Sequence, residues 1–185
     1  IEMAKRRVGI LISGRGSNMT ALMEAAQAKD FPAEIVLVIS NIAYAGGLEK
    51  AAASEIATVT VESKPFGKDR EAFERKLHEA LIAHDIELVC LAGFLRLLTP
   101  WFVKQWEGRM LNIHPALLPS YKGLHTHERA LSDGVKIHGA TVHFVVPEMD
   151  SGPIIMQGAV AVLDDDTPDT LAVRVLGVEH RIYTD

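Results

Sequence analysis

Short apolar runs alternate with amphipathic stretches along most of the chain, and this alternation constrains the fold more than any other feature. Runs such as "RVGILIS" (7–13) and "AEIVLVISN" (33–41) are typical of buried strands. Between such runs, the stretch 68–85 repeats its apolar residues at the spacing of one helix face. The repetition of strand, helix and strand predicts an α/β fold with a mostly parallel, Rossmann-like twisted sheet and helices on both faces.

The same pattern predicts where the individual elements lie. We expect strands at 7–13, 33–41, 57–62, 86–94, 109–114, 140–146 and 153–162, and helices at 17–27, 46–55, 68–85, 99–106 and 167–183. The last two strands alternate more strongly, which favours antiparallel strands near the C-terminal edge of the sheet. Ser17, Thr99 and Thr167 have the residue type that caps a helix N-terminus.

Composition bounds the size and the partners of the protein. With 185 residues, 48% apolar and 23% charged, the chain is expected to form one domain over residues 1–185. Its helical pattern still runs at Asp185, so we expect a domain that is truncated or incompletely ordered at its C-terminus. A net charge of -5 argues against nucleic acid and anionic membrane as partners. The single cysteine, Cys90, is expected to be buried and suits the reducing cytoplasm.

A glycine-containing loop, "SGRGSN" (13–18), joins the first strand to the first helix. Gly14 and Gly16 allow a tight turn, and the amides at the following helix N-terminus favour an anion. A dinucleotide fingerprint would need a third glycine where the chain has Met19, and an acid at the end of the second strand where it has Asn41. The loop therefore favours a single phosphate over NAD, and a glycine turn without a ligand is the alternative.

Five of the eight histidines fall within residues 114–143. His114, His125, His127 and Asp150 could together be ligands of one metal ion, but no pair has the H-E-x-x-H spacing of a helical metal site. Nucleophilic catalysis is disfavoured, because the chain has no G-x-S-x-G and Cys90 lies in a strand with a buried pattern. His138 and His143 are expected to be hydrogen-bonded core residues.

Asn112 and His114 close a predicted strand, and alternation places their side chains on the same side of it. A side-chain amide and an imidazole aimed at one point form a pair of donors suited to the oxyanion of acyl transfer. A protonated imidazole calls for a carboxylate, and Asp150 in a glycine-containing loop offers one. These residues alone predict a metal-free acyl transfer without naming the acyl group, with a metal enzyme as the rival.

Five segments, in order over nearly the whole chain, resemble the phosphoribosylglycinamide formyltransferases of the folate-dependent formyltransferase family. They are "LISGRGSN", "LAGFLRLL", "LNIHPALLPSYKGLHTHERAL", "HGATVHFV" and "MDSGPII". The resemblance implies direct formyl transfer from 10-formyltetrahydrofolate to the amine of glycinamide ribonucleotide, without a metal or a covalent enzyme intermediate. It implies a cytoplasmic enzyme, a monomer or homodimer, with these small molecules as its partners. A formyltetrahydrofolate hydrolase and a binding module without catalysis are the alternatives.

The resemblance also implies catalytic roles. Asn112 and His114 would stabilise the oxyanion of the tetrahedral intermediate. Asp150 would hold His114 protonated and help relay the proton that the attacking amine loses. His125 and His143 would support these residues without touching substrate.

Binding roles follow from the same resemblance. The ribonucleotide phosphate would be held by Gly16, Ser17 and Asn18, and its ribose by Glu179. Folate would be bound by Arg70, Leu95, Arg96, Leu97, Leu98, Asn112, Val146, Pro147, Glu148, Met149 and Asp150. Leu176 departs from the family pattern, which often has Gln or Lys there, so one polar contact to the nucleotide would be missing.

Overall fold

The computed structural model describes residues 4–185. Its strands are β1 (Arg6–Ile12), β2 (Ala33–Ser40), β3 (Ala57–Thr60), β4 (Leu88–Leu91), β5 (Met110–His114), β6 (Ile137–Phe144) and β7 (Ile154–Ala161). Its helices are α1 (Ser17–Ala25), α2 (Gly46–Ala53), α3 (Arg70–Ala83), α4 (Pro100–Gln105), α5 (Thr126–Asp133) and α6 (Pro168–Thr184). A short 3₁₀ turn spans Lys64–Phe66.

The strands are hydrogen-bonded in the order β3-β2-β1-β4-β5-β6-β7. β1 runs parallel to β2 and β4, β2 runs parallel to β3, and β6 runs antiparallel to β7. This confirms the predicted mostly parallel sheet with antiparallel strands at its C-terminal side. By compactness the chain divides into two units, the first ending at Leu111 and the second running from Asn112 to Asp185.

The first unit is built around β1, whose residues Val8 to Ile12 are all buried. Ile10 lies opposite Val38 of β2 and Cys90 of β4, so three apolar strands share one buried layer. The strand order reverses at β1: β2 and β3 lie on one side of β1, and the chain then crosses back to place β4 on its other side. In sheets of this kind, ligands bind in the crevice outside the carboxyl ends of the strands at this reversal. The loops after β1 and β4 are therefore the expected binding elements of this unit.

The second unit consists of the β6–β7 hairpin, helix α6 packed against both strands, and helix α5. A Cβ on Gly158 would lie 2.3 Å from Val178 Cγ1, so only glycine lets β7 approach α6 this closely. The Thr167 hydroxyl accepts from the Thr170 amide and the Thr170 hydroxyl accepts from the Thr167 amide, which closes a capping box. The predicted cap at Thr167 is confirmed.

Two local expectations, the cap of α1 and the start of β6, are wrong, and one helix was not predicted. Ser17 is the first residue of α1 and not its cap, because Gly16 occupies the cap position with a left-handed φ of 65° and has no side chain to accept a bond. Helix α5 was not predicted, since it is short and starts after His125, which is also left-handed and makes no side-chain cap. Strand β6 begins at Ile137, three residues earlier than its apolar pattern indicates.

One expectation from composition, the burial of Cys90, can be compared with the structure. Cys90 is buried in β4, with 4% of its surface exposed, and it is a free thiol. Within residues 4–185, no helix has the length and apolar character needed to cross a membrane.

Candidate active site

His114 ends β5 in the second unit, and the residue is 6% exposed. Its Nε2 lies 2.8 Å from the backbone carbonyl oxygen of Tyr121. Its Nδ1 lies 3.6 Å from Oδ2 of Asp150, whose side chain is 10% exposed. Both ring nitrogens therefore face oxygen atoms, and the ring is held in a single orientation before any ligand binds.

Asp150 lies in the loop after β6 with a left-handed φ of 51°. The Gly123 amide donates to Asp150 Oδ2 at 2.8 Å, and Lys122 Nζ donates to the Ser151 hydroxyl at 2.9 Å. A Cβ on Gly152 would lie 1.6 Å from the Phe144 carbonyl oxygen, so glycine is required for the loop to fold back on the end of β6. The Gly123 amide thus holds the carboxylate itself, and the contacts of Ser151 and Gly152 hold the loop immediately after it.

Asn112 lies two residues before His114 on β5 and is half-buried. Across the described part of the chain, no hydrogen bond to its side-chain amide is found. An amide donor that is close to a buried imidazole and is not already engaged is available to a ligand. The structure thus places Asn112, His114 and Asp150 in one unit. The Asn112 amide and the His114 imidazole are donors of the kind that stabilise an oxyanion, and Asp150 is an acceptor beside the imidazole.

Three other histidines lie within electrostatic reach of His114, namely His127, His138 and His143. Burial lowers the pKa of His138 to about 4, with the neighbouring His127 and His114 adding to the effect. Burial also lowers the pKa of His127 and of His143. These three rings are therefore neutral near pH 7.

The neutral histidines differ in their partners. His127 Nδ1 and His138 Nε2 are 3.1 Å apart, so one ring donates to the other, and His138 is a hydrogen-bonded core residue as predicted. His143 Nδ1 lies 3.0 Å from the Phe144 carbonyl, whereas its Nε2 is buried without a hydrogen-bond partner among residues 4–185. His143 only partly matches the expectation of a satisfied core residue.

His125 is not brought to His114 and Asp150. Its side chain is 71% exposed, and its Nδ1 lies 3.3 Å from Oε2 of Glu128. His125 precedes α5 with a left-handed φ of 56°, which directs the chain into that helix. The structure gives His125 a place at the helix start and no contact with His114 or Asp150.

Tyr121 is a site residue that the sequence did not indicate. Its hydroxyl donates to Asp133 Oδ2 at 2.8 Å, and this bond raises the pKa of the phenol above its usual value. Its ring lies edge-on to His138 at 5.9 Å, and the Arg129 guanidinium lies 5.5 Å from its centroid. A contact made by a backbone carbonyl leaves no signature in residue type, so only the fold reveals it.

In the first unit, the predicted phosphate residues lie at the start of α1. Gly16 is the N-cap, Ser17 is half-buried and Asn18 is 7% exposed. No side chain caps this helix, so the first-turn amides are not satisfied by a cap side chain. An uncapped helix N-terminus behind a glycine is an arrangement that suits a phosphate.

The loop after β4 carries the predicted folate residues of the first unit. Leu95 and Leu97 are 76% and 66% exposed. The Leu95 amide already donates to the buried Ser13 hydroxyl at 2.9 Å, and the Leu97 carbonyl accepts from Arg70 Nη1 at 3.3 Å. Arg70, which was expected to bind folate, therefore holds this loop in the structure. Two of the loop's backbone groups, the Leu95 amide and the Leu97 carbonyl, are already engaged.

The remaining predicted residues lie in the second unit. Glu179 is 8% exposed on α6, and Leu176 is half-buried on the same helix. In the loop after β6, Val146 is half-buried. The exposed residues of that loop are Pro147, Glu148 and Met149. Arg96, in the first unit, lies with its guanidinium 5.7 Å from the Phe73 ring.

A metal site would need several ligand side chains that converge on one point. Within residues 4–185, no group of three or more His, Cys, Asp or Glu side chains has a suitable arrangement.

Comparison with known families bears directly on this site. The sequence model of the formyl transferase family matches residues 6–185. The chain belongs to the formyl transferase family. A crystal structure of a family member, phosphoribosylglycinamide formyltransferase from Brucella melitensis, superposes with a TM-score of 0.93 at 54% identity, covering 98% of this chain and 93% of that one.

Relatives of this formyl transferase include single enzymes and larger proteins. It is 45% identical to the phosphoribosylglycinamide formyltransferase of Escherichia coli over 174 residues, which are 94% of this chain and 82% of that protein. It is 47% identical to the human trifunctional purine biosynthetic protein adenosine-3 over 182 residues. The chain spans only 13% of the Chironomus tentans relative of that name and 18% of the human one.

Proposed function

We propose that this formyl transferase moves the formyl group of 10-formyltetrahydrofolate to the amine of 5'-phosphoribosylglycinamide, a step of purine biosynthesis. The observation that carries the proposal is the pairing of His114 with Asp150 at the end of β5, two residues after Asn112. Acyl transfer to an amine needs donors for an oxyanion and an acceptor for a proton, and these three side chains supply both.

The chemistry follows from these groups. The amine nitrogen attacks the formyl carbon, and the carbonyl π electrons move to oxygen as a C–N bond forms. The Asn112 amide and the His114 imidazole donate to this oxyanion, so hydrogen bonds stabilise the negative charge on its oxygen in place of a Lewis acid. Asp150 keeps a negative charge beside the ring and helps to relay the proton that the amine loses. Collapse of the intermediate breaks the bond to N10 of the folate, which takes up a proton.

The binding roles are part of the same proposal. The amides behind Gly16, together with Ser17 and Asn18, would hold the ribonucleotide phosphate, and Glu179 would accept bonds from the ribose hydroxyls. The pterin would use the backbone groups of Leu95–Leu98 that are not already bonded, together with the loop 146–150. Arg70 would have to exchange its bond to Leu97 for one to the folate glutamate.

The deciding experiment is formyl transfer from 10-formyltetrahydrofolate, measured with and without the ribonucleotide amine and in excess EDTA. We expect turnover only when the amine is present and no effect of the chelator. Loss of formyl without the amine would mean a hydrolase on the same scaffold. Activity lost in EDTA and restored by a divalent metal would overturn the hydrogen-bonding mechanism, and binding without turnover would mean a non-catalytic module.

A further inference from the structure

The two ring nitrogens of His114 face oxygen atoms that differ in what they can do with a proton. Nε2 lies 2.8 Å from the Tyr121 carbonyl, which can only accept, so Nε2 must carry a hydrogen to make this bond. Nδ1 lies 3.6 Å from the Asp150 carboxylate. A proton can leave Nδ1 while the bond at Nε2 is kept, whereas loss of the Nε2 proton would break that bond.

We infer that Tyr121 is a positioning residue whose backbone carbonyl keeps a proton on His114 Nε2, so that the proton exchanged during catalysis is the one on Nδ1. The catalytic meaning of this assignment rests on the proposed function. The tautomer itself does not, because it is a property of the protein without substrates. The ring therefore presents Nδ1, the nitrogen beside Asp150, to the reacting atoms.

Contacts of the Tyr121 side chain determine the direction of its backbone carbonyl. Tyr121 has a φ of 55°, a conformation that side-chain-bearing residues seldom adopt and that the surroundings must enforce. Its hydroxyl bonds to Asp133, in α5, and its ring lies edge-on to the buried His138. These contacts fix the side chain, and the left-handed backbone then turns the carbonyl toward His114.

The residues after Tyr121 reinforce the same geometry. Arg129 Nη2 donates to the Lys122 carbonyl at 2.5 Å. The Gly123 amide donates to Asp150 Oδ2 at 2.8 Å. One short segment, 121–123, therefore gives a carbonyl to His114 and an amide to Asp150. It sets the positions of both members of the pair, and a disturbance at Tyr121 would reach both.

The proton cycle is consistent with this assignment. Nδ1–H donates to the oxyanion while Asp150 keeps its charge, and Nε2–H stays bonded to the Tyr121 carbonyl throughout. Any proton that Nδ1 gives up during collapse of the intermediate is replaced by the one that the amine loses. The ring ends each turnover in the protonation state in which it began.

The direct test is the tautomer of His114 in the ligand-free protein, read from long-range ¹⁵N–¹H NMR spectra of the ring nitrogens. The resonances are assigned by their absence in His114→Gln. At pH values where the ring is neutral, we expect the proton on Nε2 alone in the wild type and a mixture of tautomers in Tyr121→Phe. A neutral ring protonated on Nδ1 in the wild type would overturn the inference.

Kinetics provide the second test. We expect Tyr121→Phe and Asp133→Ala each to lower kcat roughly tenfold with both KM values within about twofold, and the double variant to be no worse than either. Tyr44→Phe is the matched control, because Tyr44 also has a left-handed φ, 61°, but is 98% exposed. An unchanged kcat together with an unchanged tautomer in Tyr121→Phe would overturn the role of its hydroxyl.

The two tests separate this inference from the proposed function. If the wild-type tautomer is as expected but no formyl transfer occurs, the proposed function fails and the positioning by Tyr121 stands. If formyl transfer occurs but His114 carries its neutral proton on Nδ1, the function stands and the positioning role is wrong.

Discussion

The loop after β1 presents mainly backbone amide groups, whereas the end of β5 presents side chains. At the start of α1 the cap is a glycine, which has no side chain to accept from the first-turn amides. At the end of β5 both nitrogens of a buried histidine already face partners, and the carboxylate beside it is held by an amide. Under the proposed function an incoming phosphate would complete the first arrangement, whereas the groups of the second already face one another in the protein without substrates.

Because of this difference, we expect substitutions in the two units to change different measured quantities. Preorganised donors and charges lower the barrier because they need no rearrangement during the reaction. A backbone cradle contributes mainly to binding, and its integrity depends on conformation more than on residue chemistry. We therefore expect changes near His114 to act on kcat, and changes at the glycine loop to act on stability and on KM for the ribonucleotide.

The largest effect should come from Asp150→Asn. Asparagine tolerates the left-handed φ of 51° and can still accept from the Gly123 amide, so the change removes the charge and little else. We expect kcat to fall roughly 10³-fold, measured by steady-state formyl transfer, with the unfolding free energy nearly unchanged.

Asp164→Asn is the control for Asp150→Asn, since the Asp164 side chain is 97% exposed and pairs with Lys136 at the surface. It should leave kcat within about twofold of wild type. Near-normal turnover of Asp150→Asn would mean that the second unit does not depend on this charge, and the contrast between the two regions would disappear.

The next effect should come from Asn112. Asn112→Ala removes one oxyanion donor and should lower kcat by about 10²-fold with KM little changed. Asn112→Asp keeps the shape but replaces the donor with acceptors, so it should be at least as damaging. A rate for Asn112→Asp close to wild type would show that the side chain acts by its shape, and would remove it from the set of donors.

The buried histidines predict a pH dependence of stability. The pKa of His138 is about 4 in the folded protein and 6.5 in the unfolded chain, so the folded protein binds fewer protons below pH 6.5. The contribution of neutral His138 to the free energy of unfolding is therefore complete above pH 6.5 and is lost as the pH falls toward 4. Between about pH 7 and about pH 5 this amounts to roughly 2 kcal/mol. In urea unfolding, His138→Gln should therefore lose about 2 kcal/mol less than wild type over that interval.

His125→Gln is the matched control for the substitution itself, because the His125 side chain is 71% exposed. If His138→Gln and wild type lose the same stability over the interval, the buried His127–His138 pair does not titrate as its environment indicates. The second unit would then be more open to water around His114 than its burial suggests.

The parts of the site that sequence could predict are those encoded locally. Alternating apolar residues followed by Pro115 placed Asn112 and His114 at the end of a strand, where β5 does end. The cap at Ser17 was wrong because Gly16 takes that position with a left-handed φ. The carbonyl of Tyr121 could not be foreseen, since its contact depends on a helix, α5, that shows no distinct start signal and on a backbone group common to all residues.

The smallest effect, in the first unit, should come from Gly16→Ala. The φ of 65° is costly for a residue with a Cβ, and that Cβ would lie 3.2 Å from both Cβ and Cε of Met19. We expect the unfolding free energy to fall by about 1–2 kcal/mol and KM for the ribonucleotide to rise several-fold, with kcat at saturation nearly retained.

Gly14→Ala is the control for stability, because nothing lies within 4 Å of its added Cβ, and it should change the unfolding free energy by less than about 0.5 kcal/mol. Equal losses at both glycines would mean that the loop depends on flexibility at either position. A loss of kcat in Gly16→Ala without a change in KM would mean that the backbone loop takes part in the chemical step, and the division between a binding region and a catalytic region would be wrong.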